Sequence, residues 1–422
     1  MTVSMRVMSA GKGYQYLLKS VAAGDVDRAL STPLTRYYAE AGTPPGVWMG
    51  TGVHEFGAGQ VVPGSEVAES QLALPLGMGR DPATGDSLGL AFPQYQSISE
   101  RIAERTAALT PGMTAEEREV QVARTKVEET SRGGRRAVAG YDFTFSVPKS
   151  VSVLWGVADA GTQALIVEAH HAAVGQVVAF LEREVAATRL GAATGDGAVA
   201  QVGVVGIAAT AYDHWDSRAG DPQLHTHVVI SNKVKADFDG GWRSLDGRPM
   251  HAAVVAVSEH YNAVLADRFT GTFGLGWAVR DRGENRNVQW EIDGVSDELI
   301  GEFSSRSRAI DIEKDRLIAD YVAQHGRQPS NVTIVRLRAQ ATLITRPEKQ
   351  VRSLAELTED WRDRTDRKLG TDSVQWARAL TTGPGQLLTV ALFDDVGVLD
   401  GDDVGGYGNA PPWVLAGRSS SG

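Results

Sequence analysis

The run DHWDSRAGDPQLHTHVVI, residues 213–230, constrains the fold of this chain more than any other segment. Strand-like sequence flanks it, from Val199 to Tyr212 before and from Leu224 to Ala236 after. The stretch between them, DHWDSRAGDPQ, has the Gly, Pro and Asp content of a hairpin connection, so an antiparallel pair is the economical arrangement. On a strand, residues i and i+2 share a face. The imidazoles of His225 and His227 therefore project together, while Thr226 and Val228 face the other way. If the first strand returns across the hairpin, His214 completes a three-nitrogen set from the neighbouring strand. Three protein ligands leave an open coordination position, the arrangement of a catalytic rather than a structural metal. The plainer alternative is a packing or surface HxH pair with no metal.

Composition narrows the chemistry. With no cysteine in 422 residues, thiolate nucleophiles and sulfur-ligated zinc are excluded, and a metal must be held by His, Asp or Glu. The 42 Lys and Arg against 52 Asp and Glu give a net charge of −10, which argues against a surface that is basic throughout and leaves room for a local basic groove. The N-terminal residues lack the long apolar run of a signal peptide, and no stretch of about eighteen consecutive apolar residues occurs. A cytoplasmic protein without membrane insertion is the expectation. Neither GxxxxGK[ST] nor GxGxxG after a strand is present, so no nucleotide-driven motor is expected within these residues.

Along the chain, residues 1–8 read as an edge strand and 10–25 as helix-compatible, with the Gly/Pro-rich stretch from Gly42 to Gly64 as turns and loop. Ser97 to Glu129 should be helical and ends at the basic turn SRGGRR. In GYDFTFSVPKS, Tyr141, Phe143 and Phe145 alternate with Asp142, Thr144 and Ser146, a half-buried strand whose polar face carries Asp142. A long helix is expected from Thr162 to Arg189, with His170 and His171 on its surface, and an amphipathic one from His260 to Phe273. Helix continues to Leu369, and residues 391–422, with five aspartates and one arginine, read as a flexible acidic tail. The expected divisions are 1–300 as a catalytic core, 301–390 as a helical segment and 391–422 as the tail.

Four tyrosines lie near the N-terminus: Tyr14, Tyr16, Tyr37 and Tyr38. A phenol has a pKa near 10, so only about one in a thousand is phenolate at neutral pH, and a nucleophilic tyrosine needs a base or a cation beside it. Asp142 could accept that proton or orient a metal-bound histidine. Residues alone leave three readings open. One is a tyrosine-dependent enzyme. A second is a three-histidine metal hydrolase or oxygenase in which the tyrosines merely pack, and a third is a non-catalytic single-stranded DNA-binding module.

Three segments in order, RYYAEAGTPPGVWMGTG, GYDFTFSVPKSVSVLW and DPQLHTHVVISN, resemble the N-terminal relaxase domain of MobF-type conjugative DNA-transfer proteins, which are HUH endonucleases. Thr226 stands where that motif carries a bulky apolar residue. DGGWRSLDGRP, FSSRSRAI and TRPEKQVRSLAELTEDWR extend the resemblance to about residue 370. It implies an α+β fold: a central, mainly antiparallel five-stranded sheet flanked by helices, with a C-terminal helical segment that closes over DNA. It implies site- and strand-specific nicking and rejoining of single-stranded or hairpin DNA at a plasmid transfer origin, alongside other conjugation proteins. His214, His225 and His227 would hold one divalent cation, Mg²⁺ or Mn²⁺, with Zn²⁺ the alternative. A tyrosine would form a 5′-phosphotyrosyl bond and leave a free 3′-hydroxyl. By the same resemblance Tyr16 initiates, Tyr37 and Tyr38 form the second pair, and Asp142 supports tyrosine deprotonation. Tyr14 is the rival to Tyr16, because Leu17 occupies the partner position of the first pair. Arg132, Arg135, Arg136 and Lys149 would border the site on DNA, with Arg306 and Arg308, and then Arg336, Arg338 and Arg346, on the C-terminal segment.

Overall fold

The computed structural model describes residues 2–18, 43–110, 112–191, 199–281, 288–348 and 352–382. Among these residues the strands are β1 Val3–Ser9, β2 Val47–Met49, β3 Val138–Ser146, β4 Thr188–Gly191, β5 Val199–Val202, β6 Ala209–Asp216, β7 Pro222–Ser231, β8 Lys233–Lys235, β9 Trp242–Ser244, β10 Trp277–Arg280 and β11 Gln289–Ile292. Five of them form one sheet in the order β1-β3-β7-β6-β2, every pair antiparallel. The remaining six pair off as the ribbons β4-β5, β8-β9 and β10-β11. The expected α+β fold with a five-stranded antiparallel sheet is present.

The expected hairpin is β6-β7, with a tighter connection than composition suggested. Ser217 N–H donates to Asp221 O and Gly220 N–H to Ser217 O, both at 2.9 Å, and Gly220 takes the positive φ of 75° that the turn requires. Asp213, His214 and Trp215 consequently belong to the strand rather than to the loop. The run from Val199 is broken in two: β5 pairs with β4, and only β6 enters the main sheet. The stretch expected as loop between Gly42 and Gly64 contains the edge strand β2 and a 3₁₀ segment, Thr51–Gly59. The Ser97–Glu129 helix is two helices, Ile98–Ala107 and Ala115–Arg132, whose N-caps Ser97 and Thr114 each close a capping box.

Period-two alternation gives the sheet two different faces. Phe143, Phe145, Val228 and Ile230 point into the main core, beneath the helices Lys149–Val157, Ala160–Phe180 and Val254–Phe273. The helix Ala160–Phe180 and the π-turn Leu181–Val185 that continues it together make a run long and apolar enough to cross a bilayer, but its inward side, including Ile166, Ala173 and Val177, is core. On the opposite face Val229 and Tyr212 meet a smaller cluster built from Tyr14, Leu17, Trp48, Phe56, Leu72 and Leu76. The rest of that face carries Asp142 and Thr144 of β3, His214 of β6, and His225 and His227 of β7.

Beyond the sheet, the helices Ser305–His325 and Asn331–Ile344 pack on one another and bury few side chains, Leu317 and Ala341 among them. The following helix, Leu354–Leu369, is different. Its Leu357 and Trp361 enter the main core, and Trp361 Nε1 donates to Gly220 O at 2.7 Å, directly on the β6-β7 turn. Arg364 adds ion pairs to Asp221 at 3.2 Å and Glu302 at 3.0 Å. Gly156 must be glycine for this docking, since a Cβ there would come within 2.8 Å of the Trp361 ring. The expected acidic tail at 391–422 lies outside the described residues.

Candidate metal and nucleophile site

Antiparallel register puts His214 directly opposite His225, and His227, two residues along β7, on the same face. The three ring centroids are 5.0 to 5.3 Å apart, and one nitrogen from each ring lies within 4.8 Å of the other two. Hydrogen bonds orient two of the rings. His225 Nδ1 lies 2.7 Å from Gln223 O, and His227 Nδ1 lies 2.9 Å from Asp142 Oδ1. Each acceptor calls for a proton on Nδ1, which makes Nε2 the nitrogen able to ligate a metal. Imidazoles so held, with no cysteine in the chain and no carboxylate joining the cluster among the described residues, fit a divalent cation with coordination positions to spare.

Asp142 joins this cluster to a tyrosine. It is buried on β3, on the face that also carries Thr144, whose Cα partner across the sheet is His227. His227 Nδ1 faces both carboxylate oxygens, 2.9 Å from Oδ1 and 3.1 Å from Oδ2, and Tyr16 Oη donates to Oδ2. The Tyr16 ring stands edge-on to His227, with centroids 6.1 Å apart. The reason it is Tyr16 lies in the short helix Gln15–Leu18. Leu17 and the preceding Tyr14 are buried in the smaller core, which turns Tyr16 outward over the sheet, with 40% of the residue exposed. Burial of the hydroxyl end, and then the negative Asp142, raise the phenol above its ordinary range. Arg6, opposite Asp142 in the β1-β3 register, works the other way. Sequence reading missed Arg6, because only the pairing of β1 with β3 reveals which residue faces the carboxylate.

The remaining expected residues divide. Tyr37 and Tyr38 lie outside the described residues. Arg135 and Arg136 line an open groove of about 750 Å³ with Lys12, Phe92 and Tyr95, and the Arg135 guanidinium lies 5.3 Å above the Tyr95 ring. This groove begins at the Ser9–Gly13 segment just before Tyr14 and Tyr16, and none of the three histidines lines it. Arg132 is exposed, 4.0 Å from Glu129.

Lys149, expected to border DNA, is held against the chain's own backbone. Its ammonium donates to Pro222 O at 2.8 Å, and burial depresses its pKa to about 8, so it braces the start of β7. Arg306 is likewise committed, donating to the carbonyls of Thr342 and Thr345 at the end of Asn331–Ile344, whereas Arg308 is exposed beside Gly301 and Ser305. Arg336 and Arg346 are exposed, and Arg338 pairs with Asp311.

His170 and His171 are not on a helix surface. His170 is fully buried between Tyr261 and Thr226, and burial holds its pKa down to about 3, so it is neutral. His171 Nε2 lies 2.8 Å from Asp213 Oδ2. The surrounding helix is apolar on nearly every side, so its sequence carries no polar stripe to show which face is covered.

Over residues 10–368 the chain matches the TrwC relaxase family. Two curated relatives, both described as multifunctional conjugation protein TraI, come from Escherichia coli and from Escherichia coli strain K12. They are 33% and 30% identical over 187 residues, a stretch that makes up 42% of this chain and 10% of each relative. The chain thus spans about a tenth of the length of these relatives. Among solved structures, a copper-bound conjugative relaxase TrwC in complex with oriT DNA is 24% identical, covers 88% of this chain and 99% of that one, and superposes with a TM-score of 0.52. A metal-bound complex of the same relaxase with oriT DNA gives 22% and 0.55 over the same shares. These structures share the fold described above, and with a family match across most of its length the chain belongs to the TrwC relaxase family.

Proposed function

We propose that this chain is a conjugative relaxase that nicks and rejoins one DNA strand at a plasmid transfer origin through a 5′-phosphotyrosyl intermediate. The observation that carries this reading is the line Tyr16–Asp142–His227: one carboxylate holds a phenol and a member of a three-histidine cluster at once. Tyr16 Oη attacks the scissile phosphorus, the P–O3′ bond breaks, the tyrosine proton passes to Asp142, and the departing 3′-oxygen takes up a proton. One phosphodiester replaces another, so the reverse step rejoins the strand without ATP. A divalent cation held by His214, His225 and His227 would polarise the scissile phosphate as a Lewis acid. Imidazole donors suit Mn²⁺ or Zn²⁺ better than Mg²⁺ on softness. Arg6 supplies fixed positive charge on the neighbouring strand, offsetting the carboxylate that disfavours phenolate.

The TrwC structures hold oriT DNA, one of them a 27-mer comprising the recognition hairpin and the cleavage site, and DNA of that kind is the substrate assigned here. In this reading residues 1–300 are the nicking core, the helix pair Ser305–His325 and Asn331–Ile344 closes over DNA, and other conjugation proteins in the cytoplasm are the partners. The test is incubation with Mn²⁺ and single-stranded origin oligonucleotides, followed by denaturing electrophoresis. A protein–DNA adduct whose linked peptide contains Tyr16 is expected. Cleavage that leaves both ends free would indicate a metal hydrolase, and no cleavage with metal bound would leave only a binding module.

Asp142→Asn keeps the shape of the side chain and removes its charge. Adduct formation is expected to fall on the order of 10²- to 10⁴-fold, the usual worth of a positioned proton acceptor, with DNA affinity within about twofold of native. Native rates in this variant would place the acceptor elsewhere. The groove makes a separate prediction. Replacing Arg135 and Arg136 together by alanine should weaken binding to single strands of any sequence and flatten the slope of log affinity against log salt by about 1.4, roughly 0.7 for each phosphate no longer neutralised. An unchanged slope would remove both arginines from the DNA path.

A further inference from the structure

On the reverse face of the strands that carry the histidines lies a buried chain of hydrogen bonds that the reaction above does not use. Asp213 and Thr226 are cross-strand partners, and the Thr226 hydroxyl donates to Asp213 Oδ1 at 2.5 Å. Because that hydroxyl donates there, it accepts from His170 Nε2–H, 2.8 Å away. His170 Nδ1 then has no proton and accepts from the Tyr261 hydroxyl at 2.7 Å. His171 Nε2 donates to the second Asp213 oxygen at 2.8 Å. Every proton has one consistent direction, and all of them run toward one carboxylate. The chain ties β6 and β7 to the helix Ala160–Phe180 through His170 and His171, and to Val254–Phe273 through Tyr261.

Each metal-site histidine is one residue from a member of this network. Asp213 precedes His214, and Thr226 separates His225 from His227. The β6-β7 register shifts between His214 and Asp216, so the sheet is irregular just past the first histidine. At such a shift the ladder is locally disrupted and the twist increases, so side-chain bonds across the strands add to what the turn itself fixes. The Asp213–Thr226 bond crosses the two strands one residue before the irregularity begins.

We infer that Asp213 and Thr226 are positioning residues for the metal site, setting from the reverse face the separation and twist of the two strands that present the three imidazoles. This rests on the reading of His214, His225 and His227 as a metal site.

The experiment titrates Mn²⁺ into the full chain, with melting of the metal-free protein and the visible spectrum of the Co²⁺-loaded protein measured alongside. Thr226→Val exchanges the hydroxyl for a methyl of the same shape. It is expected to weaken Mn²⁺ binding about 10-fold or more, the usual effect of losing a residue that orients ligands, and to alter the Co²⁺ spectrum. Thr226→Ser restores the hydroxyl and should bind Mn²⁺ within about threefold of native. A folded Val variant with native Mn²⁺ affinity and an unaltered Co²⁺ spectrum overturns the inference even if it melts lower, since the network then serves stability alone. If the Val variant does not fold, Tyr261→Phe takes its place, removing only the far hydroxyl of the chain. A weakening of about threefold supports the inference and no change overturns it. Failure of the native chain to bind Mn²⁺, Zn²⁺ or Mg²⁺ would instead overturn the metal site itself, and the inference with it.

Discussion

Tyr16→Phe is expected to abolish the covalent protein–DNA adduct while leaving the protein folded and able to bind both metal and DNA. The substitution removes a single oxygen. The short helix that carries it is held by Tyr14 and Leu17 in the smaller core, and the Tyr16 ring is itself half open, so the loss of packing is slight. What disappears is the nucleophile, and loss of a group that forms the covalent intermediate costs on the order of 10⁴-fold or more in rate. DNA affinity should stay within about twofold of native, because a phenyl ring offers the same surface to a base. The Mn²⁺ titration should also be nearly unchanged, since His227 keeps its bond to Asp142. Adduct forming at the native rate would transfer the initiating role to Tyr37 or Tyr38. Tyr14 is a poorer substitute, because it is buried in the smaller core and it is Tyr16 that bonds Asp142.

The parts of this site that were legible in the sequence are those set by local periodicity. HxH on a strand forces two imidazoles to one face, and alternation in GYDFTFS separates Asp142 from its aromatic neighbours whatever the sheet does. The hairpin followed from its turn residues, although its tight closure at Gly220 drew His214 further into the strand than composition implied. Non-local facts were illegible. Arg6 faces Asp142 only because β1, more than a hundred residues away, pairs with β3 in one particular register. Strand β2 is three residues long, too short to alternate, and is a strand because β6 offers it an edge. Lys149 reads as an exposed cation until β7 places the Pro222 carbonyl against it. His170 and His171 sit in a helix whose apolar character on nearly every side conceals that the Val254–Phe273 helix and the sheet enclose His170 and that the sheet meets His171.

Alanine at any of the three histidines is expected to lower divalent-metal affinity by about 100-fold or more and to lower adduct formation with it, but the three should not recover alike. His225 is oriented by a backbone carbonyl, Gln223 O, and touches neither Asp142 nor Tyr16 through a hydrogen bond of its ring Nδ1. His225→Ala therefore removes a metal ligand and leaves the bonds of Asp142 to His227 and Tyr16 in place. Raising Mn²⁺ well above the weakened dissociation constant should restore a substantial share of adduct formation, because the phenol and its acceptor are still in place. His227 serves twice, as a ligand and as the group whose Nδ1 faces both oxygens of Asp142, one of which accepts from Tyr16. In His227→Ala the carboxylate loses that partner and its fixed orientation toward the phenol, so saturating Mn²⁺ should recover less, by on the order of 10-fold, than it does in His225→Ala. The measurement is adduct yield against Mn²⁺ concentration for the two variants, taken to saturation in each. Equal plateaus would mean that Asp142 is held by the strand alone, and that the histidine contributes only its lone pair. A plateau at native height for His225→Ala, reached at native Mn²⁺ concentrations, would remove that histidine from the metal site.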